Sequence, residues 1–233
     1  ASEIKGILAS QLLKPSVSKQ GIAEIFMLGP GRTNGQGVFD GIQELCPGEC
    51  LSLKNGVIKK NFYWQLKAEN HTENLQETAE HVHFLVEDSI KRQLVSDIPV
   101  CTFLSGGLDS SIISYVAAQN LNNLHTFSVN YTDNDKFFKK SYFQPNSDDN
   151  YIGIMSRFCC SSHHPVTLGI SELADALKPA TVARDLPGMA DVDSSLYLFC
   201  KEIKKHNSVA LSGECADEIF GGYPWYHNEA LYK

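Results

Sequence analysis

The sequence reads Val-Cys-Thr-Phe-Leu-Ser-Gly-Gly-Leu-Asp-Ser-Ser from Val100 to Ser111, an apolar stretch followed by paired glycines and hydroxyl side chains. The apolar part predicts a buried strand over Val100–Leu104, and a helix is predicted over Ser110–Gln119. Paired glycines let a backbone approach a ligand closely, and the first N–H groups of a helix attract an anion. The string therefore predicts a phosphate-binding loop. The alternative is an ordinary connection between a strand and a helix.

An acidic residue, Asp109, stands inside this predicted loop. A carboxylate repels phosphate unless a cation lies between them, so Asp109 suggests Mg²⁺ bridging carboxylate and phosphate oxygens. The Gly-Lys-Ser/Thr ending of a Walker A loop is absent from the sequence, which disfavours γ-phosphoryl transfer assisted by a loop lysine.

Apolar stretches and amphipathic stretches alternate through the rest of the chain. Further strands are predicted at His125–Val129, Pro165–Leu168 and Val209–Leu211. Further helices are predicted at Ser147–Phe158, Ser171–Val182 and Ser194–Lys205. The alternation predicts an α/β fold with a mainly parallel sheet covered by helices. Ligands of such sheets bind beyond the carboxyl ends of the strands, here after Leu104, Val129 and Leu211.

The chain before this alternation predicts a different arrangement. A helix over Ser18–Leu28 would turn Ile22, Ile25 and Phe26 inward, and Asn55-Gly56 suits the two-residue turn of a hairpin. A long amphipathic helix is predicted from Leu75 to Leu94, with Thr72 as its N-cap. The polar stretch from Tyr131 to Asn146 predicts a mobile surface loop.

A second Ser-Gly turn follows the last predicted strand, in the sequence Ala-Leu-Ser-Gly-Glu-Cys-Ala-Asp-Glu-Ile-Phe-Gly-Gly-Tyr over residues 210–223. Glu214, Asp217 and Glu218 place three acids within five positions at the start of a short helix. Like charges held this close are costly unless a metal ion or a proton offsets them. The alternative is a solvated acidic helix face that complements the helix dipole.

Composition excludes several classes of protein. The 233 residues allow one or two domains, and 20 basic against 27 acidic side chains give a formal charge of −7, so no overall basic excess favours nucleic acid. No apolar run reaches the roughly 20 residues of a membrane helix. Seven cysteines without regular spacing predict reduced thiols and a cytoplasmic location. Zinc at Cys159, Cys160, His163 and His164 is disfavoured because no further ligand pair has zinc spacing.

The pair of motifs, Ser-Gly-Gly-Leu-Asp-Ser-Ser and Ser-Gly-Glu-Cys-Ala-Asp-Glu-Ile-Phe-Gly-Gly-Tyr, resembles the synthetase domain of glutamine-dependent asparagine synthetases. That domain belongs to the PP-loop ATP pyrophosphatase superfamily, whose fold is of the adenine nucleotide α hydrolase type. The resemblance implies that residues 1–70 are the end of a glutaminase domain with a linker and hairpin. It implies that residues 71–233 are the ATP-binding synthetase domain, cut short at its C-terminus. Ala1 is not the Cys nucleophile of a glutaminase, so the chain is expected to lack that activity and to be a fragment of a longer enzyme.

The resemblance also implies a role for each matching residue. The β- and γ-phosphates of ATP would be held by Ser105, Gly106, Gly107, Asp109 and Ser110. The adenosine would contact Leu104 and Val129 on one side, and Ser212 and Gly213 on the other. Mg²⁺ would be shared by Asp109 and Asp217, and Glu214 would serve the acyl-adenylate chemistry. Part of the amino-acid site would lie at Gly188–Ser195, where the sequence departs from the commonest family version.

The implied activity is ATP-dependent asparagine synthesis through β-aspartyl-AMP. Its substrates would be aspartate, ATP and ammonia released from glutamine, with Mg²⁺ as cofactor and neither nucleic acid nor membrane as partner. A homodimer is left open. Two alternatives also remain: a related acyl-adenylate-forming cyclase that closes a β-lactam or peptide ring, and a nucleotide-binding module without catalysis.

Overall fold

The computed structural model describes residues 1, 3–139 and 148–232. Contacts divide the chain into two compact units, one of Ala1–Thr72 with Ala174–Tyr197 and the other of Glu73–Leu173 with Leu198–Lys233. The division of the chain at residues 70 and 71 into two domains stays a prediction. Within the described ranges, no helix is long and apolar enough to cross a membrane.

The first unit begins with two short helices and a hairpin: α1 (Ile4–Leu8), α2 (Lys19–Leu28), β1 (Glu49–Lys54) and β2 (Val57–Phe62). The strands β1 and β2 pair antiparallel, so the predicted hairpin is confirmed. Asn55 and Gly56 have φ values of 51° and 76°, and a two-residue turn of this kind needs positive φ at both positions.

The inward face of α2 differs from the prediction. Ile22 and Phe26 are 47% and 85% exposed, whereas Gly21 and Glu24 are buried. Gly21 lies directly against the carbonyl oxygen of Val38, where a Cβ would overlap that oxygen. A glycine can press its backbone against a neighbouring chain in this way, and this contact sets the buried face of α2 in place of its apolar side chains.

The second unit is built on a four-stranded sheet of β3 (Val100–Phe103), β4 (His125–Tyr131), β5 (Ser162–Leu168) and β6 (Val209–Leu211). The strand order is β5-β4-β3-β6, and all three pairings are parallel. The helices that follow the hairpin are α3 (Leu75–Gln93), α4 (Leu108–Asn120), α5 (Asn134–Phe137), α6 (Asp149–Phe158), α7 (Ile170–Arg184), α8 (Ala190–Ile203) and α9 (Ala216–Phe220). The predicted α/β fold with a parallel sheet is confirmed.

Apolar side chains are buried on both faces of this sheet. Val100 packs with Leu94, Ala117 and Leu124 on one face, near the end of α3 and on α4. The next residue along β3, Cys101, packs on the other face in a cluster with Phe127, Phe199 and Ile203. Neighbouring residues of a strand point to opposite faces, so helices cover the sheet on both sides.

The N-cap of α3 lies two residues after the predicted one. Asn74, and not Thr72, is its N-cap: the Asn74 side chain accepts hydrogen bonds of 3.0 Å from the backbone N–H groups of Gln76 and Glu77. The Glu77 carboxylate in turn accepts from the Asn74 N–H at 3.0 Å, which completes a capping box. The predicted mobile loop at Tyr131–Asn146 contains α5, and its second half lies outside the described residues.

A contact across the sequence completes the first unit. Asp185, which directly follows α7, accepts a hydrogen bond of 2.9 Å from the backbone N–H of Lys5 and forms an ion pair of 2.9 Å with its Nζ. The N-cap residue Glu3 makes no side-chain cap of its own, so Asp185 caps α1 from 180 residues away. The hydrogen bond from the Lys5 N–H, together with the Lys5 charge, lowers the pKa of Asp185.

Candidate active site

The two sequence motifs lie side by side at the carboxyl end of the sheet. They follow β3 and β6, which are adjacent parallel strands with Thr102 paired to Leu211. A Cβ placed on Gly213 would lie 3.0 Å from the Asp109 Cβ and 3.3 Å from the Ser110 backbone nitrogen. The backbone of the second motif is therefore in contact with the start of α4, and a Cβ at this point would be tightly packed.

The first loop also depends on a glycine at its bend. Gly106 has a φ of 85°, and a Cβ there would lie 2.9 Å from the Asp148 carbonyl oxygen. Gly107 is the N-cap of α4 and provides no side-chain cap for its first N–H groups. Helices leave these first groups without an intrahelical partner, so the loop can present donors to an anion.

Hydroxyl groups tie the first loop to the first turn of α4. Ser110 is 7% exposed, and its Oγ accepts from the Ser105 backbone N–H at 3.2 Å. The same Oγ lies 3.0 Å from the Ser105 Oγ and 3.2 Å from the Gly107 carbonyl oxygen. Ser111 also donates to that carbonyl, at 2.7 Å. The sequence predicted these serines as phosphate donors, but it did not predict that they bind one another.

Leu104 directly follows β3, and Val129 lies on the neighbouring strand β4. The Leu104 side chain is fully buried, and its backbone N–H donates to the Phe127 carbonyl at 2.8 Å. A contact from Leu104 to an adenosine would therefore have to come from its backbone. Val129, near the end of β4, is 36% exposed.

The second loop presents Glu214 on the surface. The Glu214 backbone N–H donates to the Ser212 Oγ at 3.2 Å, and its side chain is exposed. Cys215 follows with a φ of 70°, in the left-handed region, and α9 begins directly after it. The carboxylate of Asp217 packs against Gly222, where a Cβ would overlap the Asp217 Oδ1.

Tyr223 is a residue of this loop whose role sequence reasoning missed. Its hydroxyl donates to the Glu218 Oε1 at 3.1 Å. The pKa of Tyr223 is raised by this hydrogen bond first, and also by the negative charges of Asp217 and Glu214. The three carboxylates of the motif thus all influence one phenol. A tyrosine three residues after an acidic helix was the available signal in the sequence.

The pair of carboxylates predicted to share Mg²⁺ is not a complete protein-only metal site. Within residues 1, 3–139 and 148–232, no group of three or more His, Cys, Asp or Glu side chains is arranged to hold a metal ion. Mg²⁺ commonly takes one or two carboxylates and completes its shell with substrate phosphates and water. The donor set of Asp109 and Asp217 fits that pattern, and their sharing of one ion stays a prediction.

The adjacent histidines of β5 join neighbouring strands by hydrogen bonds. His163 places its ring nitrogens 2.9 Å from the Thr126 Oγ1 and 3.1 Å from the Ser128 Oγ. The His164 Nε2 lies 2.9 Å from the His125 Nδ1. Burial lowers the pKa of His163 and of His164, and neighbouring imidazoles lower both further.

The region at Gly188–Ser195, which the resemblance assigned to the amino-acid substrate, lies in the first unit. The Asp193 carboxylate binds Arg184 at 2.8 Å, and Ser194 is 1% exposed. The Ser194 hydroxyl donates to the Ala190 carbonyl at 2.5 Å within α8.

The fold and the two loops define an α/β protein built to bind a ligand beyond the carboxyl ends of adjacent parallel strands. A protein-family model described as asparagine synthase matches residues 81–233, which is more than half of the chain. The chain belongs to the asparagine synthase family.

Individual relatives are consistent with this membership. The chain is 50% identical over 231 residues to asparagine synthetase (glutamine-hydrolyzing) 3 of Bacillus subtilis strain 168, covering 97% of the chain and 38% of that protein. It is 27% identical to asparagine synthetase B (glutamine-hydrolyzing) of Escherichia coli K12, covering 80% of the chain and 34% of that protein. The chain thus spans about a third of the length of these two relatives. A solved NMN synthetase from Francisella tularensis overlaps 65% of the chain and 60% of its own, with 11% identity and a TM-score of 0.38.

Proposed function

We propose that the protein containing this chain synthesises asparagine, activating the β-carboxyl group of aspartate with ATP and then transferring ammonia to it. The observation that carries the proposal is the contact of the two motif loops, where Gly213 packs on the start of α4 beside Asp109. That contact occurs in a chain of the asparagine synthase family.

The first loop has the features that a triphosphate requires. Gly106 and Gly107 keep side chains away from the loop backbone, and the start of α4 carries no side-chain cap. We assign the β- and γ-phosphates to this loop, with the adenosine between the two motifs. The residues proposed to form the ATP site are Leu104 through its backbone, Ser105, Gly106, Gly107, Asp109, Ser110, Val129, Ser212 and Gly213.

Asp109 and Asp217 are the residues proposed to hold Mg²⁺. When bound, the ion would neutralise the negative charge of the pyrophosphate as it departs. Asp109 stands in the first turn of α4, close to the positive end of the helix dipole. Asp217 lies in the first turn of α9, four residues beyond the glycine that packs near the Asp109 side chain.

The proposed chemistry explains why two nucleophilic steps follow each other. A carboxylate is a poor acyl donor, because its oxygen is a poor leaving group. In the first step an aspartate β-carboxylate oxygen attacks the α-phosphorus and the bond to pyrophosphate breaks. In the second step ammonia attacks the β-carbonyl carbon of the adenylate, a proton leaves the nitrogen, and the bond to AMP breaks.

Glu214 is the residue proposed to act in these steps. Its side chain is exposed beside the loop contact, and its backbone is fixed by the bond to Ser212. A carboxylate that holds no metal repels phosphate, so Glu214 would contribute little to the binding of ATP itself. It can instead orient the incoming ammonia or accept its proton.

The test uses the complete protein and follows aspartate-dependent exchange of pyrophosphate into ATP, together with asparagine formation. Glu214→Gln keeps the shape and removes the charge, so turnover should fall by on the order of 10²-fold or more with little change in ATP affinity. Asp109→Asn should weaken Mg·ATP binding itself. Glu80→Gln, on the exposed surface of α3, is the matched control and should match the unmodified protein.

The same assay separates the alternatives. Exchange that depends on another carboxylic acid and not on aspartate would indicate a ring-closing relative. Binding of Mg·ATP without any exchange would indicate a nucleotide-binding module. If Glu214→Gln kept full turnover, or lost ATP affinity as Asp109→Asn does, the separate roles of the two loops would be wrong.

Family resemblance alone supports the remaining assignments, which we also propose. Ammonia would come from glutamine hydrolysed elsewhere in the protein. The partners would be small molecules and neither nucleic acid nor membrane, and the location would be cytoplasmic. Residues 1–70 would be the end of a glutaminase domain with its linker, and residues 71–233 the synthetase domain.

A further inference from the structure

The Ser110 hydroxyl makes all of its described contacts inside the first loop. Its three partners are the Ser105 N–H at 3.2 Å, the Ser105 Oγ at 3.0 Å and the Gly107 carbonyl at 3.2 Å. Ser110 is 7% exposed, whereas Ser105 is exposed to solvent. A hydroxyl has one hydrogen to donate and two positions that accept. The single Ser110 hydrogen can therefore go to the Gly107 carbonyl or to the Ser105 Oγ, but not to both.

The position of the single Ser110 hydrogen decides what Ser105 can do. The Gly107 carbonyl already accepts from Ser111 at 2.7 Å, a shorter bond than the one from Ser110. Ser110 can therefore direct its hydrogen to the Ser105 Oγ, since either atom of that 3.0 Å pair can be the donor. When Ser110 donates to it, Ser105 must point its own hydrogen elsewhere. The hydrogen of an exposed serine at an anion-binding loop is then available to a phosphate oxygen.

We propose that Ser110 is a positioning residue that acts through Ser105. Ser110 does not contact the phosphate in this arrangement. It holds the loop by accepting from the Ser105 N–H, and it commits the Ser105 hydroxyl to donate outward. This inference rests on the proposed ATP site, and it departs from the direct phosphate contact that family resemblance implied for Ser110.

A double-mutant cycle on Mg·ATP binding tests the inference in the complete protein. The variants are Ser105→Ala, Ser110→Ala and the double variant, and the readout is the Kd for Mg·ATP by titration calorimetry. A hydrogen bond to a charged group contributes more to binding than one between neutral groups, so each single variant should weaken binding by about 10- to 100-fold. Because both act through one donor, the double variant should be within about threefold of the weaker-binding single variant.

Ser114→Ala is the matched control on the same helix. It removes another buried serine hydroxyl, which lies 2.8 Å from the Thr102 Oγ1 and outside the loop. It should cost stability but leave the Kd for Mg·ATP within about twofold, which separates positioning of the loop from general destabilisation.

Several outcomes would overturn the inference. If the fold-losses in Mg·ATP affinity of the two single variants multiply in the double variant, each serine contacts the phosphate independently. A normal Kd in Ser110→Ala, or an equal loss in Ser114→Ala, would also refute it. These results would leave the proposed function intact. An unmodified protein that binds no Mg·ATP would refute the proposed function itself.

Discussion

A buried pair of hydroxyls joins β3 to α4, and we predict how much stability is lost when either hydroxyl is removed. The Thr102 Oγ1 lies 2.8 Å from the Ser114 Oγ, and both side chains are fully buried. Thr102→Val keeps the shape of the side chain and leaves the Ser114 hydroxyl without this partner. A buried polar group deprived of its partner costs about 1–3 kcal/mol of unfolding free energy. Ser114→Ala should cost a similar amount, because it strands the Thr102 hydroxyl.

The double variant Thr102→Val/Ser114→Ala distinguishes this reasoning from a simple loss of contacts. If each single variant costs about 1–3 kcal/mol, independent effects would sum to about 2–6 kcal/mol. Replacing both partners with apolar groups leaves no stranded hydroxyl, so the double variant should cost at least about 1 kcal/mol less than that sum.

Urea unfolding of the complete protein, with hydrogen exchange at the amides of β3 as the local readout, gives the required free energies. The denaturant slope should be unchanged across the four proteins, since none of the changes alters the surface exposed on unfolding. Strict additivity of the two single effects would refute the idea that a stranded hydroxyl causes the loss.

Two further predictions concern the loop contact and the histidines. Gly213→Ala would place a methyl group 3.0 Å from the Asp109 Cβ, so we expect about 1–3 kcal/mol of destabilisation and at least about tenfold weaker Mg·ATP binding. The control is Gly153→Ala, whose Cβ meets only ordinary contacts. Equal behaviour of the two variants would contradict the prediction. The pKa values of His163 and His164 are lowered in the folded protein, so the unfolded chain binds more protons than the folded one once the pH falls below the ordinary histidine pKa of about 6.5. The urea midpoint of unfolding should therefore stay constant above that pH and fall below it. A midpoint that is the same at pH 7.5 and pH 5.5 would contradict the lowered pKa values.

The parallel sheet could be predicted from the sequence because its strands are short apolar runs between amphipathic segments. Their spacing along the chain is local information, and β3, β4 and β6 begin at the predicted residues. The hairpin could be predicted for the same reason, since Asn55-Gly56 favours its turn through its own backbone preferences.

The details that escaped prediction depend on contacts between distant residues. The buried face of α2 is set by Gly21 against the Val38 carbonyl, and an apolar period gives no sign of such a contact. The N-cap of α3 depended on choosing between two nearby polar residues, and Asn74 is the one with Glu77 at the capping-box distance. The hydrogen bonds of Ser110 to Ser105 within the loop could not be predicted from the residue type.

The contact of Asp185 with Lys5 has a consequence for how the protein can be divided. The first unit is discontinuous, since the chain leaves it after Thr72, returns at Ala174 and departs again after Tyr197. A recombinant fragment beginning at Glu73 would retain Asp185 but would have removed the helix that it caps. Bringing Lys5 and Asp185 together closes a loop of 180 residues, which costs chain entropy and slows folding. The cap should therefore form late in folding, after both residues have been synthesised. Dissection of the protein into separately expressed pieces should therefore keep residues 1–72 and 174–197 on the same polypeptide.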